Sequence, residues 1–116
     1  MRYGQIEPER WPSGIDRTAA VLGLEPDELA AACGLVFHRE IDDLDYFRFA
    51  GLRLPSGRQI VLQRYERNQH PGTGVVIDSR DDPTAALLET LHELGLSDTA
   101  VTWTPDDVTL PRGAAA

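Results

Sequence analysis

A chain of 116 residues with nineteen Asp and Glu against eleven basic residues, a formal net charge of -8, can fold as one domain with its own core. It carries the wrong charge for wrapping nucleic acid, whose phosphates demand clustered cations. The lone cysteine, Cys33, excludes an internal disulfide, and no apolar run reaches the roughly 18 residues of a membrane-spanning helix.

The expectation is a single soluble domain over 1–116, cytoplasmic because Met1 to Gln5 lacks the apolar run of a secretory leader. All eleven basic residues are Arg, a bias that fits GC-rich codon usage in a bacterial source. Charge is blocked along the chain: residues 25–45 hold seven acids and one Arg, 46–70 five Arg and one Glu, and 78–107 eight acids and one Arg.

Residues 1–14 read as an irregular segment, with Trp11 expected to pack on the core. Ile15, Ala19 and Leu22 have helical spacing and Gly23 follows as a stop, which predicts a short helix over 15–22. A second starts at Pro26 and runs to Gly34, with Asp27 and Glu28 at its positive end. Together, residues 15–34 have the spacing of a helix-turn-helix. The second helix, however, offers Asp27, Glu28 and alanines where base and phosphate contacts need Arg, Lys, Asn or Gln.

Leu54-Pro55-Ser56-Gly57-Arg58 predicts a hairpin with a three-residue loop. An unbroken register would set Arg48 against Arg64 on the face carrying Leu52 and Ile60, an unfavourable like-charge pair. A bulge at Gly51 is therefore expected, turning Phe47 and Phe49 inward and leaving Arg48 and Arg53 outside. Gly74 to Ile77, apolar on both faces, reads as an interior strand.

A helix follows, started by Asp82 and Pro83 and stopped by Gly95-Leu96. Its stripe of Thr84, Leu87, Leu88, Leu91 and Leu94 should cover the sheet, with Ala86, Glu89 and Glu93 opposite. Val101 and Trp103 alternate with Thr102 and Thr104 in a last strand, reached by a crossover that allows parallel pairing with the third. A flexible tail is expected over 111–116. The fold class is α+β: two short N-terminal helices, then β-β-β-α-β, with one long helix packed on a four-stranded mixed sheet.

Candidate chemistry is thin. Val75 to Asp78 resembles the opening strand and Asp of phosphate-transferring enzymes, but Arg80 stands where a second Asp would act, so Asp78 and Asp81 read better as turn residues. His38, His70 and His92 lie in different elements, and Cys33 with His38 lacks two further zinc ligands. No Ser sits in a nucleophile turn. No cofactor, metal or catalytic residue is expected.

What remains is a binding surface. Glu40, Asp42, Asp43 and Asp45 form a dense acidic cluster, and neighbouring Tyr46 and Tyr65 make it amphipathic, as interface anchors are. With Asp78 and Asp81 these residues are the expected contacts for another protein, a basic one. An immunity or inhibitor protein that neutralises a basic toxin or nuclease is the concrete form. The alternative is a nucleic-acid-linked regulator using the helical corner or the arginine-bearing hairpin. A homodimer stays open.

Overall fold

The computed structural model describes residues 3–6, 14–43 and 45–111. In chain order the elements are β1 (Gly4–Ile6), β2 (Ile15–Leu22), α1 (Pro26–Cys33), β3 (His38–Ile41), β4 (Tyr46–Arg53), β5 (Gln59–Tyr65), β6 (Thr73–Asp78), α2 (Pro83–Leu94), a 3-10 turn (Asp98–Ala100) and β7 (Val101–Trp103). The strands make one seven-stranded sheet in the order β1-β4-β5-β6-β2-β7, with β3 beside β1 on the outer edge of β4. Every pairing is antiparallel. The fold is α+β, but neither the two N-terminal helices nor the four-stranded sheet is present.

The largest correction is β2. Residues 15–22 form a strand between β6 and β7, and its register slips between Ile15 and Arg17 and again between Thr18 and Ala20. Each slip breaks strict alternation, so the buried positions Ile15, Ala19, Ala20 and Leu22 imitate helical spacing. A helix-turn-helix at 15–34 loses its first helix. Gly23 ends a strand instead, its N–H donating to the carbonyl of Ala100 at 2.7 Å. Because β2 lies between β6 and β7, the last strand pairs with β2 and not in parallel with β6.

The second correction concerns β4 and β5. The loop forms as expected: the Gly57 N–H donates to Leu54 at 2.9 Å, and Gly57 holds a φ of 94°. No bulge occurs at Gly51, and the register runs unbroken from Arg53 opposite Gln59 to Phe47 opposite Tyr65, with Arg48 facing Arg64. The repulsion is relieved from outside the sheet: Asp27 lies 2.8 Å from Arg48, and Glu25 2.9 Å from Arg64. Gly51 has another reason, since a Cβ there would stand 3.3 Å from the Ile6 Cβ of β1.

Both helices pack on one face of the sheet. That core joins Leu52, Ile60, Leu62, Val75, Ile77 and Leu22 to Leu29 and Cys33 of α1 and Leu87, Leu91 and Leu94 of α2. Asp82 caps α2 by accepting from the Thr84 N–H at 3.3 Å, and Leu96 N–H closes its end on Leu91. The buried stripe of α2 is rotated from expectation: Ala86 and Glu93 are buried, and Leu88 is exposed. Ile15, Phe49, Val61 and Val76 are buried on the opposite face, with Phe47 packed against them. The irregular reading of 1–14 is corrected at Gly4–Ile6, a strand, whereas Trp11 and residues 112–116 lie outside the described residues.

Candidate functional site

The acidic cluster falls on the tight connection between β3 and β4. Asp42 N–H donates to the Asp45 carbonyl at 3.1 Å, the Asp42 side chain accepts from Asp45 N–H at 3.0 Å, and Asp45 accepts from the backbone N–H of Tyr46 and Arg67 at 2.7 and 2.6 Å. The Tyr65 hydroxyl donates to Asp42, which raises its pKa, burial adding to the effect. Two of the four acids therefore shape the turn, while Glu40 and Asp43 point outward.

This order presents an apolar pair. Ile41 and Tyr46 face each other across β3 and β4, and are 60% and 42% exposed. The Arg39 guanidinium stacks 3.9 Å from the Tyr46 ring centre. Arg39 also grips Glu66 through two bonds of 2.6 and 3.0 Å, holding the Glu66 carboxyl below its ordinary pKa. Tyr46 is thus fixed from one side and open on the other, with carboxylates at its border. Sequence reading passed over Ile41, although three aspartates among the four residues between Ile41 and Tyr46 are themselves a turn signal.

Asp78 and Asp81 are not part of this surface. Asp78 ends β6 and Asp81 follows it, at the end of the strand where Ile77 pairs with Ile60, whereas Tyr65 stands at the other end of β5. Asp78 accepts from the Arg80 backbone N–H at 2.9 Å and from its guanidinium at 3.0 and 2.6 Å, and these bonds lower its pKa to about 2. Both aspartates line an open polar cleft of about 280 Å³ shared with Ile15, Ser56, Gly57, Arg58 and Gln59. Its polar groups are turned to one another: Glu89 accepts from Ser56 Oγ at 2.6 Å and from Arg58 at 3.1 Å.

The Asp78 shift has a checkable consequence. A folded pKa below the unfolded value of about 3.9 favours the native state above that value, and the contribution disappears as pH falls toward 2. In Arg80→Ala, which keeps the backbone N–H bond, a carbon-detected NMR titration should move the Asp78 midpoint up toward the ordinary carboxylate range. A midpoint still near 2 would remove the Arg80 guanidinium as the main cause.

Four of the five arginines of the hairpin region are engaged. Arg48 and Arg64 are bound to the acids of α1 on the helix side of the sheet, Arg58 to Glu89 and Arg67 to Asp45. Arg53 is exposed and has no ion pair among the described residues. Cys33 is buried, with its thiol pushed up by that burial, the opposite of an activated nucleophile. Among the described residues no three His, Cys, Asp or Glu gather to hold a metal ion, and no helix is long and apolar enough to cross a membrane. Comparison with known proteins yields no relative: no family model, no curated protein and no solved structure matches the chain.

Proposed function

We propose that this chain is a non-catalytic protein-binding module for a basic partner, most concretely an immunity or inhibitor protein that neutralises a toxin or nuclease. The observation that carries the reading is the Ile41–Tyr46 pair, exposed on an edge hairpin that Asp42, Asp45, Tyr65 and the Arg39–Glu66 pair hold in one conformation. An aromatic anchor already fixed before binding loses little side-chain entropy on docking, and truncation of such anchors dominates interface energetics. Glu40 and Asp43 at its border and the net charge of -8 supply the field that steers a basic protein into contact.

The arginines of the described surface are mostly neutralised in place, so the charge a partner meets is the surplus of carboxylates. The same fact speaks against a nucleic-acid role for the hairpin, because Arg48 and Arg64 are not presented outward as a phosphate track.

The test is binding to purified basic toxin or nuclease domains encoded beside this gene, with Tyr46→Ala and Glu40→Lys variants. Tyr46→Ala should weaken binding about 30-fold or more, the scale of a hot-spot residue, and Glu40→Lys should slow association at low salt. If no such domain binds, or if both variants bind like the parent, the reading is wrong.

A further inference from the structure

One strand of the sheet keeps a free edge. β1 and β3 lie end to end along the outer side of β4, and among the described residues nothing pairs with the other side of β3. The direction of its backbone groups follows from the turn. The Asp42 N–H closes the hairpin on the Asp45 carbonyl, and the Tyr46 carbonyl turns the other way, accepting from the Glu66 N–H on the β5 side. Bonded pairs alternate along an antiparallel ladder, so His38 and Glu40 bond to Phe49 and Phe47, whereas Arg39 and Ile41 direct their N–H and C=O groups away from the sheet. Arg39, Glu40 and Ile41 are all exposed, and these outward groups have no hydrogen-bond partner among the described residues.

Such a row of unmatched groups is a template for another strand. β3 is already ordered for one: Glu66 grips the Arg39 side chain, and the Asp42–Asp45 turn fixes the end of the hairpin. A strand added here gains main-chain bonds while β3 loses little freedom.

Side chains select the occupant. Glu40 stands opposite Phe47, and Phe47 opposite Tyr65, whose hydroxyl reaches Asp42, so Glu40 and Asp42 share the helix-free side of the edge. Glu40 has no ion pair among the described residues. It falls between the two bonding positions, where directly opposed side chains of an added strand approach most closely. Ile41, 60% exposed, lies on the other side beside Tyr46. A second copy of this chain fits poorly. Opposed residues share a face, so a two-fold antiparallel pairing that overlaps most of β3 centres on Arg39, Glu40 or Ile41. The first two set Arg39 against Arg39 and Glu40 against Glu40. The third sets Glu40 against Asp42 twice, while Arg39, which would meet Asp43, is already bound to Glu66.

We infer that β3 docks an extended segment of the basic partner by strand addition, with a basic side chain opposite Glu40 and apolar ones on the side of Ile41 and Tyr46; this rests on the protein-binding reading above and names how that surface is occupied. A second basic residue, two positions along, lies opposite Asp42.

The probe is an end-capped peptide alternating valine with arginine, compared with a glutamate-for-arginine version and with versions N-methylated at the valines or at the arginines. Each is titrated at low salt into the nitrogen-15-labelled full chain. With arginine opposite Glu40, the valine N–H groups point at β3 and the arginine N–H groups point away. The expected result is saturable shifts and slowed exchange at the amides of Arg39 and Ile41. Methylation at the arginines should leave binding intact, and methylation at the valines or replacement by glutamate should weaken it about tenfold or more. Glu40→Lys and Ile41→Pro should weaken binding of the arginine peptide to a similar degree. The proline removes one outward N–H and spares the bonds to β4, and an unchanged thermal midpoint checks that the hairpin persists.

Equal binding of the valine-methylated or the glutamate peptide would overturn strand addition, as would self-association of the chain abolished by Ile41→Pro. If a toxin or nuclease domain encoded beside this gene binds and loses affinity with Tyr46→Ala but not with Ile41→Pro, strand addition fails and the protein-binding reading stands. If no such domain binds, that reading fails and strand addition falls with it.

Discussion

Gly72→Ala should destabilise the fold by on the order of 3 kcal/mol or more, the largest effect expected of any single methyl group added to this chain. Gly72 holds a φ of 109°, where L side chains are strained, and a Cβ there would lie 2.2 Å from the Leu22 carbonyl oxygen and 2.9 Å from Val21 Cγ1. Neither neighbour can retreat easily. Leu22 is fully buried and paired with Thr73 at the entrance to β6, so moving its carbonyl disturbs the β2–β6 ladder at the centre of the sheet. The Gly72 N–H also donates to Glu25 at 3.0 Å, which ties the same backbone to the start of α1. At about 4 °C per kcal/mol for a domain of this size, the midpoint of thermal unfolding should fall by roughly 12 °C. A variant within about 0.5 kcal/mol of the parent in urea unfolding would show that the β5–β6 loop can refold around the methyl group.

The parts of the fold legible in the sequence are those governed by local chemistry. The Pro55-Ser56-Gly57 loop, the Asp82 cap and the Gly95-Leu96 stop each depend on a few adjacent residues, and each stands where those residues demand it. What could not be read depends on neighbours distant in the chain. Residues 15–22 are a strand because β6 and β7 flank them, and the two slips in register erase the alternation that would have marked them. The expected bulge at Gly51 rested on a correct premise, that Arg48 and Arg64 repel. It lacked Asp27 and Glu25, which settle the charge, and the Ile6 side chain, which packs closely over Gly51.

The candidate surface divides along the same line. Tyr46 and Tyr65 beside an acidic run could be read from composition, but the partition of that run could not. Asp42 and Asp45 turn inward to build the connection, and Glu40 and Asp43 face solvent, a division set by which backbone N–H groups the turn leaves unmatched. Alternation puts Val101 and Trp103 on one face of the last strand, but the register shift in its pairing with β2 sets Val101 opposite Leu22 and Trp103 opposite Val21, so Val101 is buried while Trp103 is left half exposed.

Arg64→Ala should cost about 2 kcal/mol, more than a surface ion pair is worth, because the guanidinium ties the β5–β6 loop to itself and to the start of α1. Its NH1 donates to the carbonyls of His70 and Gly72, NH2 donates to Asn68 at 3.2 Å, and Nε faces Glu25 at 2.9 Å. The side chain is only 17% exposed, so these bonds compete weakly with water. Truncation leaves three loop carbonyls and the Glu25 carboxylate to find new partners, and the loop between β5 and β6 loses its internal tie. It also removes the charge facing Arg48, a small gain that offsets part of the loss. Glu25→Gln should cost less, since its side-chain oxygen can still accept from the Gly72 N–H. The double variant separates these effects: a coupling energy on the order of 1 kcal/mol between positions 25 and 64 is expected. Amide exchange at Gly72 and Thr73 should quicken in Arg64→Ala more than exchange in α2. Additive losses at the two positions, with unchanged exchange in the loop, would mean that the loop holds its shape without the guanidinium.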